Sequence, residues 1–164
     1  METVNNRLSA QSKTPEQTVV IKTELVLPSM ANLMDNLQGG QMMHFMDIAG
    51  ALSCRRHAGC EVATVAVEKI EFRYPVKVGE VIILTSKLTW VGRSSMKVKI
   101  SVISENLKLG ETKLTNIAYF TYVALGDDGR PVTVPRLTPE TQEEQDAFDC
   151  EQKAYEGQKD CGCH

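Results

Sequence analysis

A single segment, residues 41–57, constrains this chain most: it is apolar on nearly every side of a helix, and strand-patterned sequence surrounds it. Met42, Met43, Phe45, Met46, Ile48, Ala49, Ala51, Leu52 and Cys54 cover almost the whole helical circumference, and a helix without a broad polar face is a buried one. His57-Ala58-Gly59 is a reasonable stop. Before the helix, residues 19–27 are β-branched and aliphatic up to Pro28, which predicts a first strand. After it come strand patterns over 61–74, 81–91, 95–105 and 111–125, divided by turn residues. In the third of these, Met96, Val98, Ile100 and Val102 face one way, and Lys97, Lys99 and Ser101 the other.

The order β–α–β–β–β–β predicts an α+β domain: one buried helix and a long antiparallel meander. The lengths agree. A helix of about 17 residues is about 25 Å long, and strands of roughly 10 to 13 residues reach about 33–43 Å, so a strongly curved sheet can wrap the helix along its length. One helix cannot seal both faces of the layer or both sheet edges, so pairing with a second subunit is expected. Residues 1–18 read as a flexible leader, 19–137 as the domain, and 138–164 as an acidic C-terminal helix with a frayed tail. Thr138 and Pro139 suit a cap and first helical position. The acids of 140–160 read as a solvated face.

Bulk properties exclude several classes. With 164 residues and a formal net charge of −3, nothing invites a nucleic acid, whose binding rests on phosphate neutralisation. No apolar run is long enough to span a bilayer. The N-terminal segment is polar, which predicts a cytoplasmic protein. Five cysteines, two of them in the last four residues, make a poor disulfide framework. The CGCH ending holds soft ligands but reads as a flexible tail, and no metal site is expected.

The informative residue is Asp47. Helical spacing from Met43 leads to Asp47, then Gly50 and Ala51, then Cys54, so a carboxylate lies on an otherwise apolar stripe. Burying such a group without partners costs several kcal/mol, of order ~3 or more. It is retained either for chemistry or by pairing with Arg55, Arg56 or a strand residue. Gly39 and Gly40, just before the helix, admit a ligand close to the backbone, and the first-turn amides, with Gln41, can hold a developing negative charge. A plain loop-to-helix transition explains the glycines equally well. His44 sits one turn before Asp47 and could form an acid–base pair with it, although packing or solvation is the simpler role. His57 reads as structural.

Four segments in order resemble one known family. NLMDNLQGGQMMHFMDIAGALSCRRHAG, VATVAVEKIEFRYPVKVGEVI, VGRSSMKVKI and TNIAYFTYVALGDDGRPVTVPRL are similar to the loop and central helix, second strand, hairpin and closing strand of hotdog-fold acyl-CoA thioesterases, over residues 19–145. The resemblance implies one central helix wrapped by a curved antiparallel sheet of about five to six strands, with a C-terminal surface helix. It implies hydrolysis of acyl-CoA to free CoA and a carboxylic acid, in lipid metabolism, with no cofactor beyond the CoA of the substrate. It also implies a homodimer that assembles further into a hexamer, a trimer of dimers.

Carried onto this chain, the family's catalytic Asp falls on Asp47, acting as general base or nucleophile, and its loop Asn on Asn32. Gly39, Gly40, Gln41 and Thr64 fall on the oxyanion and substrate positions, and Gly92, Arg93, Ser94 and Ser95 on the CoA-binding hairpin. The two catalytic residues would come from different subunits. Met30, Met42, Met43 and Met46 could line an acyl tunnel, although methionines on a buried helix more simply pack the core. Two positions depart from the pattern: Asp35 stands where a Gly is common, and Gln38 where a Phe is. Two other readings stay open. A hotdog hydratase or dehydratase would need a His working with the carboxylate, and a non-catalytic acyl-CoA binding protein would keep the pocket without turnover.

Overall fold

The computed structural model describes residues 12–157. Its elements are β1 (Val20–Leu25), α1 (Gly39–Ala58), β2 (Glu61–Phe72), β3 (Val81–Val91), β4 (Ser95–Asn106), β5 (Glu111–Leu125) and α2 (Gln142–Tyr155), with short 3-10 turns at Pro15–Thr18 and Pro28–Met30. The strands form one five-stranded antiparallel sheet in the order β1-β3-β4-β5-β2. This is the hotdog arrangement of a curved sheet around a central helix, plus a C-terminal helix.

The expected unbroken meander is confined to β3–β4–β5, because β2 pairs with β5 and not with β3. The reason lies in α1. The chain enters the helix from β1 and leaves it into β2, and a sheet that wraps a helix needs strands on both sides of it. Residues 73–80 then carry the chain across one end, where the Leu37 amide donates to the Val76 carbonyl at 2.8 Å.

The alternation read in β4 holds: Met96, Val98, Ile100 and Val102 are fully buried. They pack with Ile82, Leu84 and Leu88 of β3 and Ala118, Phe120 and Tyr122 of β5 against Met42, Phe45, Met46 and Ala49 of α1. Contrary to an all-round buried helix, α1 leaves Met43, His44 and Leu52 exposed, since the sheet covers only one side of it. Ser53 and Ser86 lie inside the core with every hydroxyl bonded: Ser53 to the Thr18 carbonyl (2.8 Å) and to Ser86 (2.7 Å), Ser86 to the Ala49 carbonyl (2.7 Å). An unmatched buried hydroxyl would cost about 1–3 kcal/mol.

The outer face of the sheet is partly covered by α2. An extra residue at Thr89 breaks the β3–β4 register, so Trp90 falls opposite Lys97 instead of continuing the face of Leu88. Its indole N–H donates to Gln152 of α2 at 2.8 Å, and its ring lies 4.9 Å from that of Tyr155. The helix begins at Gln142, later than expected, behind a capping box formed by Thr141 and Glu144. Thr138 is unavailable as a cap: its amide donates to the Lys13 carbonyl, and the neighbouring Leu137 is buried.

The acidic run is not simply solvated. Glu144 pairs with Lys87 at 2.6 Å, and the buried Glu151 with Lys97 at 2.7 Å. Residues 12–18, inside the expected leader, are packed: Thr18 is fully buried and accepts from the Leu88 amide at 3.0 Å, and Lys13 donates to the carbonyls of Arg56 and His57. The first eleven residues of the leader and the CGCH tail lie outside the described residues. Among those described, no helix is long and apolar enough to cross a membrane.

Candidate active site

Asp47 sits about two turns into α1 and is half-buried. The Thr64 hydroxyl, from β2, donates to its Oδ1 at 2.6 Å. The Tyr122 hydroxyl, from β5, donates to the Asp47 main-chain oxygen at 2.9 Å and lies 3.3 Å from Oδ1. Asp47 Oδ2 accepts nothing from the described residues. The basic neighbours are engaged elsewhere: Arg55 pairs with Glu61 at 2.6 Å, and Arg56 donates to the Val19 carbonyl. The carboxylate is therefore not neutralised by the arginines one or two turns along. Thr64 and Tyr122 face each other across the β2–β5 pair, and the register slips immediately after Thr64, leaving Val65 as an extra residue. Such bulges re-aim side chains beside active sites.

The N-terminus of α1 is open. Gln38 precedes the helix without a side-chain cap, and no acid lies in the first turn. The Gln38 side chain donates instead to the Ala31 carbonyl at 2.8 Å. A Cβ at Gly40 would meet nothing within 4 Å, and one at Gly39 would only touch Phe72 at 3.7 Å. Packing therefore does not demand either glycine; what they leave is uncovered backbone N–H groups at the positive end of a helix.

Asn32 shapes the preceding loop, accepting through Oδ1 from the amides of Met34 (2.9 Å) and Asn36 (3.2 Å). The Asp35 substitution leaves the turn intact, because Asp35 takes up the left-handed conformation itself, with φ 55°. Asp is among the few side chains that tolerate that region. A cavity of about 310 Å³ joins Asn32 and Gly39 to Met42, Phe72, Tyr74 and Asn116. A larger one, about 420 Å³, lies beyond the sheet between Lys87, Lys99 and the start of α2, away from Asp47.

The expected site residues thus fall into two groups. Asn32, Gly39, Gly40 and Gln41 gather at the end of α1 near Phe72, whereas Asp47 and Thr64 lie about 12 Å along the helix from Gly39. The Gly92–Ser95 turn is at the Thr64 end of the sheet, since Ser95 pairs with Val123, next to Tyr122. Gly92 is required there by packing: a Cβ would come within 2.7 Å of the Trp90 ring and 2.9 Å of Ser95 Oγ. Arg93 is exposed, and Ser94 and Ser95 partly so.

Of the methionines, Met42 and Met46 are core residues, Met30 is partly buried against that core, and Met43 is 40% exposed. Neither helix histidine serves Asp47. His44 is exposed, and its ring lies 5.9 Å from that of Phe45. His57 is fully buried with Nε2 2.8 Å from the Pro135 carbonyl. Burial lowers its pKa, against the opposing Pro135 bond and with help from the nearby Lys13 charge. Sequence reasoning missed Tyr122, which reads as one more core aromatic; the only signal was a glycine one turn after Asp47.

Comparison with known proteins agrees with this fold. The model of the thioesterase superfamily matches residues 34–111. An uncharacterized acyl-CoA thioester hydrolase of Bacillus subtilis is 39% identical over 144 residues, 88% of this chain and 80% of that protein. The crystal structure of an apo-hexameric acyl-CoA thioesterase superposes with a TM-score of 0.85 at 34% identity, covering 91% of this chain and 96% of the other. The Staphylococcus aureus acyl-CoA hydrolase in complex with butyryl-CoA, CoA and CoA disulfide does so with a TM-score of 0.81 at 28% identity, covering 91% of each chain. Variants of that enzyme with one aspartate, one asparagine or one threonine replaced by alanine align likewise.

Proposed function

The chain belongs to the acyl-CoA thioester hydrolases of the thioesterase superfamily and hydrolyses acyl-CoA to free CoA and a carboxylic acid, and we propose that it does so with Asp47 as the reacting carboxylate, at sites shared by two subunits. One observation carries the proposal: a half-buried carboxylate with one oxygen held by Thr64 and the other unbonded among the described residues, while Arg55 and Arg56 are engaged elsewhere.

The sharing follows from the sheet edge. β2 is an edge strand of 12 residues, with no other described strand on its outer side. Residues 64–68 are exposed along it, including Val65 at 56%. A long, exposed, partly apolar edge invites a second strand. If β2 pairs antiparallel with its own copy, the Phe72 end of one strand meets the Thr64 end of the other. The open α1 amides of one subunit then face Asp47 of the partner subunit, and by symmetry the site occurs twice. Ile21, Leu25, Ile103 and Leu114 leave exposed apolar surface on the part of the outer face that α2 does not cover, which suits further assembly of dimers into a hexamer.

In the proposed reaction the thioester carbonyl sits over the amides of Gly39, Gly40 and Gln41, which hold its oxygen as negative charge develops. Asn32, whose Nδ2 donates to none of the described residues, orients the carbonyl or the attacking water. Asp47 takes a proton from that water as general base. The tetrahedral intermediate then expels the CoA thiolate, which gains a proton, and no cofactor is needed. The exposed Arg93, with Ser94 and Ser95, offers a charged fork and hydroxyls to the CoA phosphates or pantetheine arm. The intervals along the chain support the assignment. In the S. aureus enzyme the replaced aspartate lies 15 residues after the replaced asparagine and 17 before the replaced threonine, the same intervals that separate Asn32, Asp47 and Thr64.

The test is steady-state hydrolysis followed by thiol release. Asp47→Asn should lower kcat by roughly 10²–10⁴, the range for a positioned acid–base group; a loss under about tenfold in a folded variant contradicts the assignment. Direct attack by Asp47 is distinguished by a single turnover in labelled water. A general base puts the label in the product acid and none in the protein, whereas label in the Asp47 carboxyl shows an anhydride opened by water at that carbon.

A further inference from the structure

Tyr122 is fully buried on the inner face of β5, opposite Thr64 on β2 and Met96 on β4. Its ring is stacked 6.3 Å from that of Phe120, so packing fixes where the hydroxyl points. That hydroxyl touches Asp47 twice, at 2.9 Å from the main-chain oxygen and 3.3 Å from Oδ1. Burial first, and then the negative charge of Asp47, push the phenol pKa well above its ordinary value, which keeps it a neutral donor wherever the enzyme works. The approach is possible because residue 50, one turn beyond Asp47, is a glycine. A Cβ there would stand 2.4 Å from the hydroxyl oxygen and 2.9 Å from the ring carbon bearing it.

We propose that Tyr122 is a positioning residue for acyl-CoA hydrolysis: with Thr64 it pins Oδ1 of Asp47 so that Oδ2 is the oxygen presented to the reaction, and Gly50 is the notch that admits it. The inference rests on Asp47 being the reacting carboxylate. The outer torsion of an aspartate is broad and roughly two-fold, so an unrestrained carboxylate would exchange its two oxygens and swing away from the reacting atom. The Thr64 hydroxyl on Oδ1, with the single Tyr122 proton shared between Oδ1 and the main-chain oxygen of the same residue, restricts that freedom. A role in packing alone would not need the hydroxyl, since a phenylalanine fills the same space without a polar group to satisfy. Small misplacements of a reacting group carry large rate penalties, with 1 Å costing about 10²-fold.

The experiment combines Tyr122→Phe, Asp47→Asn and the double variant, assayed by thiol release from an acyl-CoA. In Tyr122→Phe, kcat should fall about tenfold with KM changed less than about twofold, the size expected for losing a bond to a charged group. In the Asp47→Asn background the same change should cost nothing further. Unchanged kcat overturns the proposal, as does an equal loss in the Asp47→Asn background, which would mark a purely structural role. Failure of the parent reading shows separately, as activity surviving in the Asp47→Asn single variant.

Discussion

Gly50→Ala sets two physical effects against each other. Gly50 lies in the interior of α1, where alanine is preferred over glycine by about 1 kcal/mol. Propensity alone therefore predicts a more stable protein. The structure predicts the opposite. The new methyl would stand 2.4 Å from Tyr122 Oη, 2.9 Å from Cζ and 3.0 Å from Cε2. Tyr122 has no exposed surface and nowhere to retreat. Overpacking of this kind costs about 1–3 kcal/mol, and forcing the hydroxyl off Asp47 removes a further hydrogen bond, about 1 kcal/mol. The net is a loss of about 2 kcal/mol, which for a chain of this size lowers Tm by roughly 4–8 °C. Calorimetry at fixed protein concentration reads the shift, since the Tm of an oligomer depends on concentration. Gly40→Ala is the stability control: a Cβ there meets nothing within 4 Å, so Tm should not fall. A Gly50→Ala variant with raised Tm and unchanged kcat would refute the close-packing argument and the role of the Tyr122 hydroxyl with it.

Other residues give independent checks. Thr64→Val keeps the β-branched shape and deletes the 2.6 Å bond to Asp47 Oδ1; kcat should fall about tenfold in thiol-release assays, with little change in KM. Lys97→Met leaves the buried Glu151 without its ammonium and should cost about 3 kcal/mol in urea unfolding, whereas Lys97→Met with Glu151→Leu should recover most of it. His57 is buried with a lowered pKa, so the unfolded chain binds its proton more readily than the folded one. Its contribution is complete above about pH 6.5 and is lost as pH falls through the region below. The fall in urea midpoint from about pH 7.5 to 5.5 should accordingly be shallower in His57→Gln than in the wild type.

The helix and all five strands were legible because each obeys one period over many residues. Their neighbours in the sheet were not. Alternation in residues 61–72 marks a strand but says nothing of its partner, and β2 reaches the far edge only because the sheet must straddle α1. Asp47 stood out as a charge on an apolar stripe. Its hydroxyl partners are a different case: Thr64 came from resemblance, and Tyr122 from the structure alone, because a tyrosine within Tyr119-Phe120-Thr121-Tyr122 reads as core filling. The start of α2 was ambiguous in principle. Both Thr138-Pro139 and Thr141 with Glu144 are start signals, and burial of Leu137 together with the bond from the Thr138 amide to Lys13 decides between them. Two features of the acidic helix also needed tertiary context, since Lys87 and Lys97 come from distant strands.

Mixed oligomers test the shared site most directly. Co-expressed Asp47→Ala and Asn32→Ala subunits, each nearly inactive alone, would pair at random. If each site takes Asn32 from one subunit and Asp47 from its neighbour, half of the dimers carry one complete site, and thiol release recovers to about a quarter of the wild-type rate. Activity that stays at the level of the single variants would place both residues in one chain's site, and the account of catalysis between subunits would be wrong.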